Sequence, residues 1–180
     1  HWIDPLFSIE MIHIRSGTLN IDLLDSAIDG NIDEGSQHQV FVTEDFYLGK
    51  YEVTQGQWEA VMGDADPWPN SDPALQPSST YGISTSHPAY NINWDDITGI
   101  DGFLDRLNQM SGCDVSALSN NHKRYHPDHV PAGCYRLPTA LEWEYSARAG
   151  TTTRFSYGDD EGYTQLGDYG WYRGNSYSLG

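Results

Sequence analysis

The sequence predicts an irregular, loop-rich α+β fold with few short helices and short antiparallel strands. Its 180 residues include 12 Tyr, 6 Trp and 18 Gly but only two lysines, Lys50 and Lys123, a mixture that suits aromatic-anchored loops better than a helical bundle. Apolar residues alternate in short runs near the start of the chain, the signature of strands. Helix start and stop signals bracket only brief segments, and polar stretches holding Pro, Gly, Ser and Asp lie between them. A length of 180 residues is what one core ordinarily serves, so the chain is read as a single domain.

In chain order, "FSIEMIHIRSGTLNIDLL" from Phe7 to Leu24 sets Ile9, Met11 and His13 on one parity and Ile12 and Ile14 on the other, which predicts strand pieces buried on both faces. The acidic "DSAIDGNIDEGSQ" that follows is a loop. "HQVFVTEDFYLGKYEV" (38–53) resumes the pattern and predicts two more strands. In "YEVTQGQWEAVMG", Thr54 and Gln57 have the spacing of a capping box, Val53 and Trp58 that of a hydrophobic staple, and Gly63 that of a stop, which predicts a helix over 55–62. "DADPWPNSDPALQPSSTYGISTS" (64–86) has four prolines and reads as a long loop that needs Trp68 or Tyr81 to dock.

"NINWDDITGIDGFLDRLNQMSG" (91–112) places Ile97, Ile100, Leu104, Leu107 and Met110 at helical spacing between Asn93 as cap and Gly112 as stop, which predicts one helix weakened by Gly99 and Gly102. In "YRLPTALEWEYSARAG" (135–150), Thr139 caps, Glu142 completes the box, and Gly150 stops a helix from Ala140 to Ala149. Leu141, Trp143, Tyr145 and Ala147 cover more than one face of it, which predicts a helix buried against several elements. After it the chain reads as aromatic-pinned loops with no sustained period.

Twenty-six Asp and Glu against nine Lys and Arg give a formal charge of −17, a surface that repels phosphate backbones and anionic lipid headgroups. Nucleic acid is therefore not an expected partner. No apolar run approaches a bilayer span, so membrane insertion is not expected either. The two cysteines, Cys113 and Cys134, favour a disulfide over two free thiols or a metal site. Together with a start at His1 that carries no initiator Met, they predict a processed chain that is extracellular or periplasmic.

Residues that could carry chemistry are sparse. Glu142 and Glu144 stand two apart on a helix and point to different sides, so they read as a cap and a structural ion pair rather than as paired acid and base. Asp29, Asn31 and Asp33 match the first three ligand positions of a calcium loop, but the Gly expected at the sixth position is missing and Val40 takes the twelfth. They are the candidate calcium ligands, set against a solvated acidic loop. Asp159, Asp160 and Glu161 form a second acidic turn of the same ambiguity. His122, His126 and His129 have spacings of four and three, but Pro127 and Pro131 argue against the helix that would gather them on a metal. The chain has no Gly-rich phosphate loop and no nucleophile elbow.

Four segments in order, "FYLGKYEVTQGQWEAVMG" (46–63), "HPAYNINWDDI" (87–97), "YRLPTALEWEYSARAGTTTRFSYGDD" (135–160) and "YGWYRGNS" (169–176), resemble the successive motifs of the formylglycine-generating enzyme family. These are also called sulfatase-modifying factor domains. The resemblance implies a variant of the C-type lectin fold and covers the N-terminal half to two-thirds of a family domain, so the chain is expected to be incomplete. It also implies that the helix of Thr139 and Glu142 is the family's central structural helix, a scaffold rather than an active site.

Family members that oxidise a substrate cysteine to formylglycine use a copper-binding cysteine pair in the C-terminal part of the domain. Cys113 and Cys134 do not match that pair, and no catalytic residue is carried over. The family's early Met-Gly-Ser motif is replaced by "LNIDL" after Gly17 and Thr18, and its calcium sites lie mostly downstream, with the Trp171–Asn175 segment approaching one. The expectation is a non-catalytic extracellular module used for binding or assembly, with a protein partner or self-association and completion by another chain through its open edges. The rival expectation is the N-terminal part of a formylglycine-generating oxidase or of a related iron-dependent sulfoxide synthase.

Overall fold

The computed structural model describes residues 2–4, 6–21, 38–63, 68, 76–79, 82–118, 125, 129–170, 172 and 175. Five short strands come first: β1 (Trp2–Ile3), β2 (Glu10–Ile14), β3 (Gly17–Ile21), β4 (His38–Val42) and β5 (Phe46–Gly49). They form two antiparallel sheets, one ordered β1-β2-β5 and the other pairing β3 with β4. Within the first, Met11 faces Gly49 and Ile14 faces Phe46. Met11, Ile12 and Ile14 are each half-buried, so both faces of β2 are partly covered, while His13 is exposed and pairs with Asp45 at 3.1 Å.

The turn from β1 to β2, which the alternation does not foreshadow, is built by Asp4. Its Oδ1 accepts the amides of Leu6 and Phe7 at 2.8 and 2.7 Å, and its backbone oxygen accepts that of Ser8 at 2.9 Å.

Helices follow: α1 (Gln55–Met62), α2 (Trp94–Thr98), α3 (Phe103–Met110), α4 (Ala140–Arg148) and the single turn α5 (Leu166–Tyr169). At the start of α1, Thr54 Oγ1 accepts the Gln57 amide at 3.2 Å and Gln57 Oε1 accepts the Thr54 amide at 3.0 Å. The loop over 82–89 is bound to this helix by Gln55, whose buried side chain donates to the carbonyls of Gly82 and Pro88 and accepts the Ser84 amide. Trp68 docks on Trp58 with ring centroids 6.1 Å apart, and Trp58 also stacks on Phe103 at 5.0 Å. Around this stack Phe7, Ile9, Val61, Leu104, Leu107, Val115 and Tyr125 complete the core.

Three expectations need correction. The single helix expected between Asn93 and Gly112 is two helices, because the chain breaks at Gly99 and Asp101 takes a left-handed φ of +58°. A Cβ at Gly99 would lie 2.5 Å from the Asp95 carbonyl oxygen, so only glycine permits this break. Ile100, which seemed to continue the apolar stripe, is 61% exposed in the break.

The second correction concerns α4, which is not buried on all sides: none of its residues is buried and Trp143 is 58% exposed. Its inner side packs on the β3-β4 sheet, where Tyr145 lies over Gly17 so closely that a Cβ there would sit 2.4 Å from the tyrosine oxygen. Gly17 pairs with Val42 and Leu19 with Val40. These residues share the covered face of the hairpin, leaving Phe41 exposed on the other. One sheet occupies one side of a nine-residue helix, and among the described residues no layer covers the opposite side. The third correction is small: the loops after α4 include the turn α5, too short to leave a period in the sequence.

Candidate functional site

Cys113 and Cys134 are joined in a disulfide with Cα atoms 5.7 Å apart. The bond closes the base of the long polar segment between α3 and α4, and its surroundings are a latch. Cys113 donates its amide to the Asn108 carbonyl at 2.8 Å. The Asn108 side chain, fully buried, accepts the Tyr135 amide at 2.7 Å and donates to the Tyr135 carbonyl at 2.9 Å. The Tyr135 hydroxyl in turn donates to Asp4 Oδ2 at 2.5 Å. Burial, then the Asp4 carboxylate, hold the Tyr135 hydroxyl above its ordinary pKa, so it remains a hydrogen-bond donor. From within the loop, the Tyr125 hydroxyl donates to Asp105. These contacts tie α3, the segment before α4 and the N-terminal turn into one unit.

At α4 the capping box is reciprocal: Thr139 Oγ1 accepts the Glu142 amide at 3.1 Å, and Glu142 Oε2 accepts the Thr139 amide at 2.8 Å. Arg136 adds a two-pronged pair to the same carboxylate at 2.8 and 2.7 Å. Burial pushes the Glu142 carboxyl up, but Arg136 and the Thr139 amide outweigh it and hold the group below its usual 4.5. Glu144 is paired with Arg148 at 2.7 Å, one turn on. Neither carboxylate is left as an acid or base.

A shallow depression of about 360 Å³ lies beside the start of α1, lined by Ser8, Glu10, Tyr51, Glu52, Gln57 and Pro88 among others. Glu10 is occupied by Lys50 at 2.8 Å. The first amides of α1 are also spoken for, those of Gln55 and Gly56 by the carbonyls of His87 and Thr85 and that of Gln57 by its cap. The start of α1 therefore offers the groove no free amide for an anion.

The candidate calcium ligands Asp29, Asn31 and Asp33 lie outside the described residues, as do His122 and His126. Among the described residues, no group of three or more His, Cys, Asp or Glu is placed to hold a metal ion. Asp159 and Asp160 are each used in the fold: Asp159 accepts the Arg154 amide at 2.7 Å, and Asp160 accepts Thr164 Oγ1 and the Gln165 amide at 3.0 and 2.8 Å. Beside them Phe155, Tyr157, Tyr163 and Tyr169 stack or meet edge-on, pinning the loops.

One side of α4 faces outward, as Phe41, Tyr51 and Trp94 do elsewhere in the fold. Ala140, Trp143 and Ala147, spaced by three and four, form one exposed apolar stripe. The sequence carried a signal for the latch, since Asn108 falls on the same helical face as Leu104 and Leu107, where a polar side chain needs buried partners.

A profile of the Sulfatase-modifying factor enzyme 1-like domain matches residues 7–179. The chain belongs to the sulfatase-modifying factor family. The irregular arrangement of short helices and small antiparallel sheets is accordingly the C-type-lectin-like fold of that family. A curated relative, "Chaperone protein LppX" of Paenibacillus barcinonensis, is 31% identical over 136 residues, covering 63% of this chain and 40% of the relative. The chain thus spans less than half the length of the curated relative it matches. No solved structure matches it. The family's oxidases hold copper on two thiolates, and Cys113 and Cys134 do not fit that role because each sulfur is bonded to the other.

Proposed function

We propose that this member of the sulfatase-modifying factor family is a non-catalytic module used for protein binding or assembly, working outside the cytoplasm. The observation that supports it most is the exposed apolar stripe of Ala140, Trp143 and Ala147 on a helix capped at its start, a surface suited to another protein. Cys113 and Cys134 are joined in a disulfide that fastens a loop. A disulfide of this kind fits an oxidising compartment. No helix among the described residues is long and apolar enough to cross a membrane. The word chaperone in the name of the LppX relative fits a role exercised on another protein.

The second reading, the N-terminal part of a formylglycine-generating oxidase, draws on the family match itself. One experiment separates the two. The native protein is loaded with copper(I) in the presence of oxygen and a cysteine peptide of the sulfatase type, and the peptide is followed by mass spectrometry. In parallel, a photo-crosslinker placed at Ala147 reports what covers α4, with each adduct identified by its peptides. An unchanged cysteine together with an identified protein adduct supports the binding module. Conversion of the cysteine to an aldehyde, or α4 without any protein adduct, overturns it.

A further inference from the structure

The aromatic loops after α4 bring two phenols face to face. Tyr157 and Tyr169 stack with ring centroids 4.2 Å apart and planes inclined by 14°. Phe155 stacks on Tyr157 as well, at 5.0 Å and 3°. Tyr169 is 61% exposed, whereas the Tyr157 hydroxyl is buried and has no hydrogen-bond partner. Burial, then the charge of Asp160, hold that hydroxyl above its ordinary pKa, so it stays protonated. A phenylalanine at this position would keep the stack and avoid the cost of an unpaired buried hydroxyl. Packing alone therefore does not account for a phenol at Tyr157.

Going beyond binding or assembly, we infer that Tyr157 and Tyr169 form a site of oxidative cross-linking, joined by a carbon–carbon bond between their rings when a one-electron oxidant meets the folded chain. Two equivalents of the oxidant each take one electron, one from each phenol, and the two hydroxyl protons pass to solvent. Tyr169 releases its proton to water directly; for Tyr157 the base at hand is the Asp160 carboxylate, whose charge acts on its hydroxyl. The two phenoxyl radicals then pair their electrons in a bond between one ring carbon beside each hydroxyl. Each of those carbons gives up its hydrogen as a proton while its ring oxygen regains one, which restores two phenols. The net change is the loss of two hydrogen atoms. Stacked rings hold the reacting carbons close before the radicals form, which favours coupling within the chain over encounter between molecules. Tyr163 is placed differently: its ring meets Phe155 edge-on at 5.8 Å and its hydroxyl accepts from Arg154 at 2.9 Å. Phe155 has no phenol with which to couple.

The test treats the full chain, kept dilute, with photo-generated ruthenium(III) tris-bipyridyl as the one-electron oxidant and isolates the monomer. Cleavage at Glu161 by a glutamate-specific protease parts Tyr157 from Tyr169. Two peptides that stay joined, lighter than their sum by two hydrogen atoms and carrying the blue fluorescence of a biphenol, report the bond. The expected result is a joined pair in the folded chain that falls at least about tenfold in urea, where proximity is lost. Tyr157→Phe and, separately, Tyr169→Phe should abolish the pair while the melting transition persists, because the rings remain. Tyr163→Phe should leave it unchanged.

A folded monomer in which no bond joins Tyr157 to Tyr169 overturns the inference, as does a joined pair equally abundant in urea or one that persists in Tyr157→Phe. None of these results touches the binding reading, which falls instead on cysteine conversion or on α4 without a protein adduct.

Discussion

Asn108 hydrogen-bonds both backbone polar groups of Tyr135, accepting from its amide at 2.7 Å and donating to its carbonyl at 2.9 Å, as a neighbouring strand would. The amide side chain supplies a donor and an acceptor at one buried position, which no other uncharged residue of that size does except in reversed or longer form. Asn108→Ala should cost about 3 kcal/mol, because two backbone groups lose their partner away from water. Asn108→Asp should be at least as damaging, since its carboxylate would face the Tyr135 carbonyl without a proton to share. Urea unfolding checks this, and a loss under about 0.5 kcal/mol, the range of an ordinary surface change, would contradict it.

Gly17 and Tyr145 define how closely α4 sits on its sheet. Gly17→Ala should destabilise by about 1–3 kcal/mol through overpacking, because the new methyl would lie 2.4 Å from the tyrosine oxygen. Tyr145→Phe in the same chain should recover much of that loss, since the next atom of the ring stands 3.3 Å away. The two changes are therefore expected to be non-additive in thermal melts. Strict additivity would mean that the helix seats elsewhere.

Glu142 makes stability depend on acid. Its carboxyl is held below its unfolded value of 4.5 in the folded chain, so the contribution is fully present above that value and is lost as pH falls through the lower folded one. The melting temperature should drop on acidification below about pH 4.5, and Glu142→Gln should show a shallower drop over the same window. Arg136→Met should flatten the profile in the same way. An identical profile in all three proteins would remove Glu142 from the account.

The disulfide joins residues 21 apart in sequence, a closure worth about 3 kcal/mol by its restriction of the unfolded chain. Cys113→Ser with Cys134→Ser should lower the denaturant midpoint accordingly yet keep a cooperative transition, because Asn108 and Tyr135 still fasten the base of the loop. A non-cooperative transition would show that the covalent bond alone organises this region.

What could be read in advance was local. The boundaries of α1 and the start of α4 are written in Thr54 with Gln57 and Thr139 with Glu142, because a capping box needs only four consecutive residues. The division of α2 from α3 was not readable from spacing, since Ile97, Ile100, Leu104 and Leu107 keep a helical period straight through the break. What decides it is a contact of Gly99 with the Asp95 carbonyl, which no apolar count registers. The pairing of Asp4 with Tyr135 spans 131 residues, and nothing near either residue marks it. The exposure of Trp143 on α4 was hidden because an aromatic side chain marks a residue that can be buried, not one that is. The proposed calcium ligands gave a partial motif, and a partial motif is as readily a solvated turn.

The closed loop between Cys113 and Cys134 has a mechanical meaning. When tension is applied through the two ends of the chain, the load crosses from α3 to the segment before α4 directly through the sulfur–sulfur bond. About 70 Å of extended polypeptide is thereby kept out of the force path. Residues in that bypassed stretch bear no strain while the bond is intact, and its reduction would release them as a sudden lengthening of the molecule.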